Sequence, residues 1–486
     1  MEVLGKLEPK AVMHWFEEIS LIPRGSLKEE RIAAYIMRFA RERGLACSED
    51  EAHNVLVRKK ASVGREDRPA LVLQSHMDMI CAKDRGVEHD FEKDGLKLYV
   101  DGDTIKARGT TLGADNGIGV AYQLAILDDD TLAHPPIEAL FTAAEEIGMV
   151  GAIRFDAAKL KGKSMINFDA GGFTEGRIYV GCAGIWRGRL TQTLRYVPRG
   201  DADGAVRITV GGLRGGHSGG DIQKGYGNSS VIMGRLLTLL LAQGAQIASF
   251  QSGDVSQENK NGIPAECAVI ACPRDAAALT QALKAFDAML KDELSDVDDG
   301  VRVDMAEEPA HVSRVLSGES AAEAVRLLTL LPNGVQSMQR IFSDTPECSC
   351  NVGNVEICDG VAAYHLSVRS CKASLMDCVY DKYRTAAELT GCTLTMGGRL
   401  PGWDYDKASR IRQLVEAEYK SKFGLAPRFK VTHAGTECAI IKSRVPDMDI
   451  ISMGPIIYEE HTTGEYMGIE SVGVLWEFVK SVISRL

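Results

Sequence analysis

No stretch of this 486-residue chain is rich in lysine and arginine, no apolar run approaches membrane-spanning length, and no CxxC pair occurs among its 12 cysteines. Each absence excludes something. With 56 basic against 67 acidic side chains the formal net charge is -11, and without a basic arm to offset it a nucleic-acid partner is not expected. The longest apolar run, around residues 236–242, is far shorter than the roughly 20 residues that a bilayer demands, so no membrane partner is expected either. The first residues, MEVLGKLEPKAVMHWFEEI, mix charges into an amphipathic pattern rather than an apolar leader, which points to a cytoplasmic protein. Structural zinc ribbons need paired CxxC units, and Cys348-Ser-Cys350 is too tightly spaced to replace one. Cys182, Cys267, Cys272 and Cys438 lie in apolar, strand-like segments and read as buried reduced thiols.

What is present is enough for two or three domains with full hydrophobic cores: 45% of residues are hydrophobic and 25% charged. The first part alternates strand-length apolar runs at residues 69–75, 137–143 and 163–168 with helical spacing at 116–127. That alternation predicts an α/β fold with a mainly parallel or mixed sheet, which gathers ligands at the carboxyl ends of its strands. From about residue 185 the pattern changes to two similar rounds of strands and helices. Strands at 185–190, 205–210 and 267–272 go with helices at 229–243 and 276–294. A helix at 321–331, strands at 349–357 and 361–368 and a helix at 375–389 follow. The reading is a doubled α+β insertion at 185–400 between two parts of one catalytic domain, 1–184 and 401–486. A helix at 408–423 and a strand at 449–453 return the chain to that domain.

Five short segments offer metal-binding side chains at the ends of apolar runs: His76 and Asp78 in LVLQSHMDM, Asp115 in GTTLGADNGIG, Glu145 and Glu146 in FTAAEEIG, Asp169 in MINFDA, and His461 in EEHTTGE. Two imidazoles and several carboxylates suit a pair of zinc-like cations, which polarise a carbonyl and activate water between them. Each segment also has an ordinary structural alternative. His76 suits a strand-end histidine capped by an acid, or a ligand whose other ring nitrogen Asp78 holds. Asp115 suits a helix N-cap, or a carboxylate bridging two ions. Glu145-Glu146 suits an acidic helix start, or one ligand beside one proton acceptor. Arg214-Gly215-Gly216-His217-Ser218-Gly219-Gly220 lacks the spacing of a phosphate loop, and its glycines leave His217 free to reach a substrate. The other histidines, His433 among them, have no comparable setting and read as structural or surface residues.

In order along the chain, LVLQSHMDM, GTTLGADNGIGVA, FTAAEEIGMVGA, INFDAGG, LRGGHSGGDI, HAGTECAII and GPIIYEEHTTGE resemble the aminoacyl-histidine dipeptidases. These Xaa-His dipeptidases, or peptidase D, are a branch of the zinc peptidases that include carboxypeptidase G, the aminoacylases and peptidase T. The resemblance implies two divalent ions, zinc or alternatively manganese or cobalt. One takes His76, Asp115 and Asp169, the other Asp115, Glu146 and His461. It makes Glu145 the general base, Asp78 the residue orienting His76, and His217 a histidine that stabilises the oxyanion. It also implies that Arg369 and Asn261 hold the substrate carboxylate, that Glu437 meets a free α-amino group, and that the Asp115-Asn116 peptide is cis. Relatives differ in whether that histidine comes from a partner subunit. The length of the insertion predicts that its second half stands in for the partner, with a homodimer still compatible. The expected activity is hydrolysis of small dipeptides with a free N-terminus, preferably Xaa-His. An aminoacylase acting on N-acyl amino acids is the first alternative and a non-catalytic metal-binding scaffold the second.

Overall fold

The apolar runs at residues 69–75 and 137–143 become the neighbouring parallel strands Leu71–His76 and Ile137–Thr142, and every residue of both is buried. Strands covered on both faces read as continuous hydrophobic runs rather than alternating ones, which is why these two stood out. The protein is seen in a computed structural model that describes residues 3–199, 204–254 and 260–486. The chain forms two units: Met1–Cys182, Trp403–Val431 and Thr436–Leu486 make up the first, and Ala183–Gly402 with Thr432–Gly435 the second. Residues 432–435, expected from the sequence in the first unit, group with the second.

The first unit is built on an eight-stranded mixed sheet in the order Ala46–Glu49, Val55–Lys59, Ile137–Thr142, Leu71–His76, Ser164–Asn167, Asp449–Ser452, Arg177–Cys182, Arg428–Thr432. Its four central strands are parallel, and the pairings to either side are antiparallel. A separate four-stranded sheet joins Leu98–Asp101 and Thr104–Ala107 to the hairpin Ile457–Tyr458 and Tyr466–Gly468. That hairpin carries the loop with His461, and periodicity gave no sign of it because its strands are two and three residues long.

The second unit has one long antiparallel path: Arg302–Glu307, Val206–Gly211, Cys267–Cys272, Gln246–Ser252, Pro346–Cys358, Val361–Ser370, Gly184–Thr193, Thr393–Leu400. Among the described residues, each half contributes four strands to this path and carries two α-helices, and each shows the same order (fourth, first, third, second path strand of its half) reading inward from its edge. The doubling is therefore topological. Its first strand departs from the sequence reading. Gly184–Thr193 pairs with Val361–Ser370 and Thr393–Leu400, so it belongs to the second half, and the whole first half is inserted after it. One apolar core, including Trp186, Leu236, Phe250, Leu327, Tyr364 and Tyr383, runs through both halves.

Candidate metal centre

The carboxyl ends of the parallel strands assemble the first group of side chains. His76 closes its strand, Glu145 and Glu146 follow three and four residues after Thr142, and Asp169 lies two after Asn167. Asp115 lies at the start of the helix Ala114–Asp128 in non-helical backbone (φ -80°, ψ 109°), and the Asp115-Asn116 peptide is cis. Asn116 Nδ2 donates to Phe168 O at 2.9 Å, which ties this turn to the strand end that bears Asp169.

Two clusters form that share Asp115. His76 Nε2 lies 3.1 Å from Asp115 Oδ1 and 3.6 Å from Asp169 Oδ1. His461 Nε2 lies 3.2 Å from Asp115 Oδ2 and 3.0 Å from Glu146 Oε2. Each oxygen of Asp115 thus faces a different imidazole. Metal–nitrogen and metal–oxygen bonds of about 2.0–2.1 Å in tetrahedral array put neighbouring donor atoms about 3.3 Å apart, which is the spacing of both clusters. Glu146 Oε1 is buried without a hydrogen-bond partner, which leaves its lone pairs open to a cation. His76, Asp115 and Glu146 each present a donor atom within 4.8 Å of the others. The residues fit a pair of divalent cations.

Electrostatics agree. Burial alone would lower the pKa of His76, yet Asp115, Asp169 and Asp78 hold it well above the ordinary value. His461 is raised to about 11 by its bonds to Asp115 and Glu146. Burial raises Glu145, Glu146 and Asp169, and their carboxylate neighbours raise them further. So many acids crowded together call for positive charge, and bound cations would return these groups to their ionised forms.

Asp78 is the hub of this arrangement and is wholly buried. Its Oδ1 lies 3.3 Å from His76 Nδ1 and accepts from Glu145 N at 3.0 Å. Its Oδ2 accepts from Ser26 Oγ at 2.8 Å and Glu146 N at 3.2 Å. One carboxylate thereby orients an imidazole and fixes the turn carrying both glutamates.

In the second unit, His217 and Arg369 come together. His217 Nδ1 accepts from Gly220 N at 3.0 Å, so in the neutral ring Nε2 carries the proton, and Arg369 Nη2 lies 3.2 Å from it. Two donors side by side suit an anionic oxygen. Burial, then Arg369, lower the pKa of His217, which keeps the ring neutral. Arg369 is itself buried and donates to His433 O and Ser218 Oγ rather than to a carboxylate, and burial beside Arg187 lowers its pKa to about 10. Gly216, just before His217, makes an antiparallel bridge with Ile263, which brings the Asn261-Gly262 turn to the same loop; Asn351 Nδ2 holds that turn through Asn261 O (3.1 Å) and Gly262 O (2.7 Å). His433, read as structural, is buried, and its Nε2 lies 2.7 Å from Ser349 Oγ.

Glu437 lies deeper than an amine contact would suggest. It has no exposed surface; Gln74 Nε2 and Thr142 Oγ1 donate to its Oε2 at 2.6 and 2.7 Å. Its Oε1 is buried without a hydrogen-bond partner, and burial raises the pKa of the group to about 7. It belongs to a buried chain of amides and hydroxyls in which Asn167 Nδ2 donates to Gln74 Oε1 (2.5 Å), while Asn167 Oδ1 accepts from Asp169 N (3.0 Å).

Sequence reasoning missed two further residues. Glu465 accepts backbone N–H groups of Leu112 (2.8 Å), Gly113 (2.9 Å), Ala114 (2.8 Å) and Asp115 (3.4 Å). It ends the very segment EEHTTGE that drew notice for His461. Arg24, 2% exposed, donates to carbonyls of Met77, Asp78 and Gly113. Nothing in SLIPRGSL marks it, because its partners are backbone atoms.

Comparison with known proteins agrees with this geometry. Residues 72–485 match the model of the peptidase family M20/M25/M40. The chain is 36% identical to the cytosol non-specific dipeptidase of Escherichia coli K12 over 495 aligned positions, covering 100% of this chain and 99% of that protein. The crystal structure of aminoacylhistidine dipeptidase from Vibrio alginolyticus superposes with a TM-score of 0.91 at 33% identity, covering 99% of this chain and 98% of that one. The aminopeptidase PepT from Bacillus cereus shares the fold, with a TM-score of 0.61 at 16% identity and 98% coverage of both chains. The chain therefore belongs to the peptidase family M20/M25/M40 and is a metallopeptidase.

Proposed function

We propose that this enzyme hydrolyses the peptide bond of small dipeptides with a free N-terminus, and that it prefers histidine at the C-terminal position. The observation that carries the reading is the pair of histidine–carboxylate clusters sharing Asp115, with Glu145 held beside them through Asp78. The full-length likeness to two dipeptidases supports the substrate class, and the name of the Vibrio protein supports the histidine preference. His76, Asp115 and Asp169 would hold one divalent ion; Asp115, Glu146 and His461 the other. Zinc suits this nitrogen and oxygen donor set, with manganese and cobalt as alternatives. When bound, two such ions supply Lewis acidity to the scissile carbonyl and to the attacking water. The name of the E. coli relative supports a cytosolic location, and among the described residues no helix is long and apolar enough to cross a membrane.

The chain's own residues do the rest. Glu145 accepts a proton from the attacking water and returns it to the leaving amine nitrogen. Asp78 keeps His76 in one tautomer and Glu145 in place, so neither has to be ordered at the moment of reaction. His217 Nε2–H donates to the oxygen that becomes negative, and Arg369 and Asn261 receive the substrate carboxylate. Glu437 has no exposed surface, which argues against its meeting the substrate's α-amino group. The distinction from an aminoacylase therefore rests on assay. Zinc-reconstituted protein offered a panel of dipeptides and N-acyl amino acids should release amino acids from Xaa-His dipeptides fastest. Cleavage of N-acyl compounds alone would replace the dipeptidase by an aminoacylase, and no cleavage of either class would refute both.

A further inference from the structure

One loop of the first unit reaches the turns that carry Asp78, Asp115 and Glu145. Between the helices Lys10–Ser20 and Glu30–Glu42, Pro23-Arg24-Gly25-Ser26 runs parallel to the end of the His76 strand: Gly25 bridges to Met79, and Met79 N donates to Arg24 O at 3.1 Å. From this loop Arg24 Nη1 reaches Met77 O (3.0 Å) and Asp78 O (3.3 Å), while Nη2 reaches Gly113 O (2.5 Å). The Asp78 carbonyl also lies 3.2 Å from His76 Nδ1. Ser26 donates to the Asp78 carboxylate, and Glu29 Oε1 accepts from Ala144 N at 2.8 Å, one residue before Glu145.

The glycines of Leu112-Gly113-Ala114-Asp115-Asn116-Gly117 make room for this arginine. A Cβ on Gly113 or on Gly117 would stand 2.6 Å from Arg24 Nη2. Gly113 also has φ +62°, but Gly117 has ordinary backbone, so the guanidinium beside it accounts for its small size. A buried arginine without a carboxylate bonded to it is costly to desolvate. Here its charge is spent on three carbonyls belonging to the two turns that carry Asp78 and Asp115.

We propose that Arg24 and Ser26 are positioning residues for the dinuclear centre, setting the distance between the Asp78 turn and the Asp115 turn so that both ions are held at once. This rests on the dinuclear reading above. Arg24 bonds main-chain carbonyls and Ser26 bonds the Asp78 carboxylate, so neither contacts a metal donor atom and the effect is on ligand placement. Partners that orient ligands in this way typically change metal affinity or activity by about 10–100-fold.

The experiment measures zinc affinity by chelator competition and the visible absorption spectrum of the cobalt-substituted full chain, for Arg24→Lys, Ser26→Ala and Tyr122→Phe. Tyr122→Phe removes a buried hydrogen bond to Val472 O in the same unit and controls for stability alone. The expected result is a 10–100-fold weaker affinity in Arg24→Lys and about tenfold in Ser26→Ala. Both should show altered cobalt bands and a fall in kcat larger than any change in KM, while Tyr122→Phe keeps wild-type affinity and bands. Wild-type zinc affinity and cobalt spectrum in Arg24→Lys overturn the proposal. Should that variant not fold, Ser26→Ala carries the same decision. Wild-type protein that binds two ions yet cleaves no dipeptide defeats the proposed activity alone, because affinity and spectrum still decide the positioning. Wild-type protein that binds fewer than two ions defeats both.

Discussion

Replacing Glu465 by glutamine tests how the bridging aspartate is held. The carboxylate accepts two pairs of backbone N–H groups, Leu112 and Gly113 on one oxygen, Ala114 and Asp115 on the other. Glutamine has one carbonyl oxygen and can serve one pair; its NH2 then faces the other pair, donor against donor. Glu465 is 3% exposed, so water cannot easily replace the lost acceptor. Leaving two buried donors unsatisfied costs about 1–3 kcal/mol each, or about 2–6 kcal/mol together. For a unit of this size that corresponds to a fall of at least about 4 °C in melting temperature. Relaxation of residues 112–115 would also move Asp115, so zinc affinity should fall with stability. Thermal melts of the metal-free protein and chelator competition on the reconstituted protein measure the two effects. A Glu465→Gln variant melting within 1 °C of wild type, with unchanged affinity for both ions, would refute the reasoning.

Glu145→Gln should lower kcat by about 10²–10⁴-fold while two ions still bind, which metal analysis alongside kinetics checks directly. Removing metal with a chelator should abolish activity and lower the melting temperature, and added zinc should restore both, since ligands that bind only the folded state stabilise it by mass action. His217→Ala should cost about 10²–10³ in kcat with a smaller effect on KM; the reverse split would argue against an oxyanion role. His433, whose pKa burial and the nearby Arg369 lower from 6.5 to about 3, stays neutral in the folded protein, so the unfolded chain binds the extra proton. Its contribution is therefore complete above about pH 6.5 and lost as pH falls toward 3, reaching about 2 kcal/mol by pH 5. Denaturation of His433→Gln against wild type between pH 7 and 5 should show a flatter dependence on pH in the variant.

The sequence by itself determined the parallel centre of the first unit and most of the candidate ligands. Strands such as Leu71–His76 and Ile137–Thr142 are buried on both faces, so their apolar runs are unmistakable, and polar residues at their carboxyl ends stand out against them. The inserted unit was legible only as two successive rounds of strand-like and helix-like segments between residues 185 and 400. Only the tertiary structure decided that Asp115 turns one oxygen to His76 and the other to His461, since those residues are brought together by separate loops. Likewise, only pairing across the sheet assigned Gly184–Thr193 to the second half of its unit. Glu437 looked like a substrate contact until the fold enclosed it, for a side chain's exposure depends on neighbours distant in the chain. Arg24 and Glu465 stayed hidden for a related reason. Their partners are main-chain carbonyls and N–H groups, which every residue carries and no sequence pattern displays.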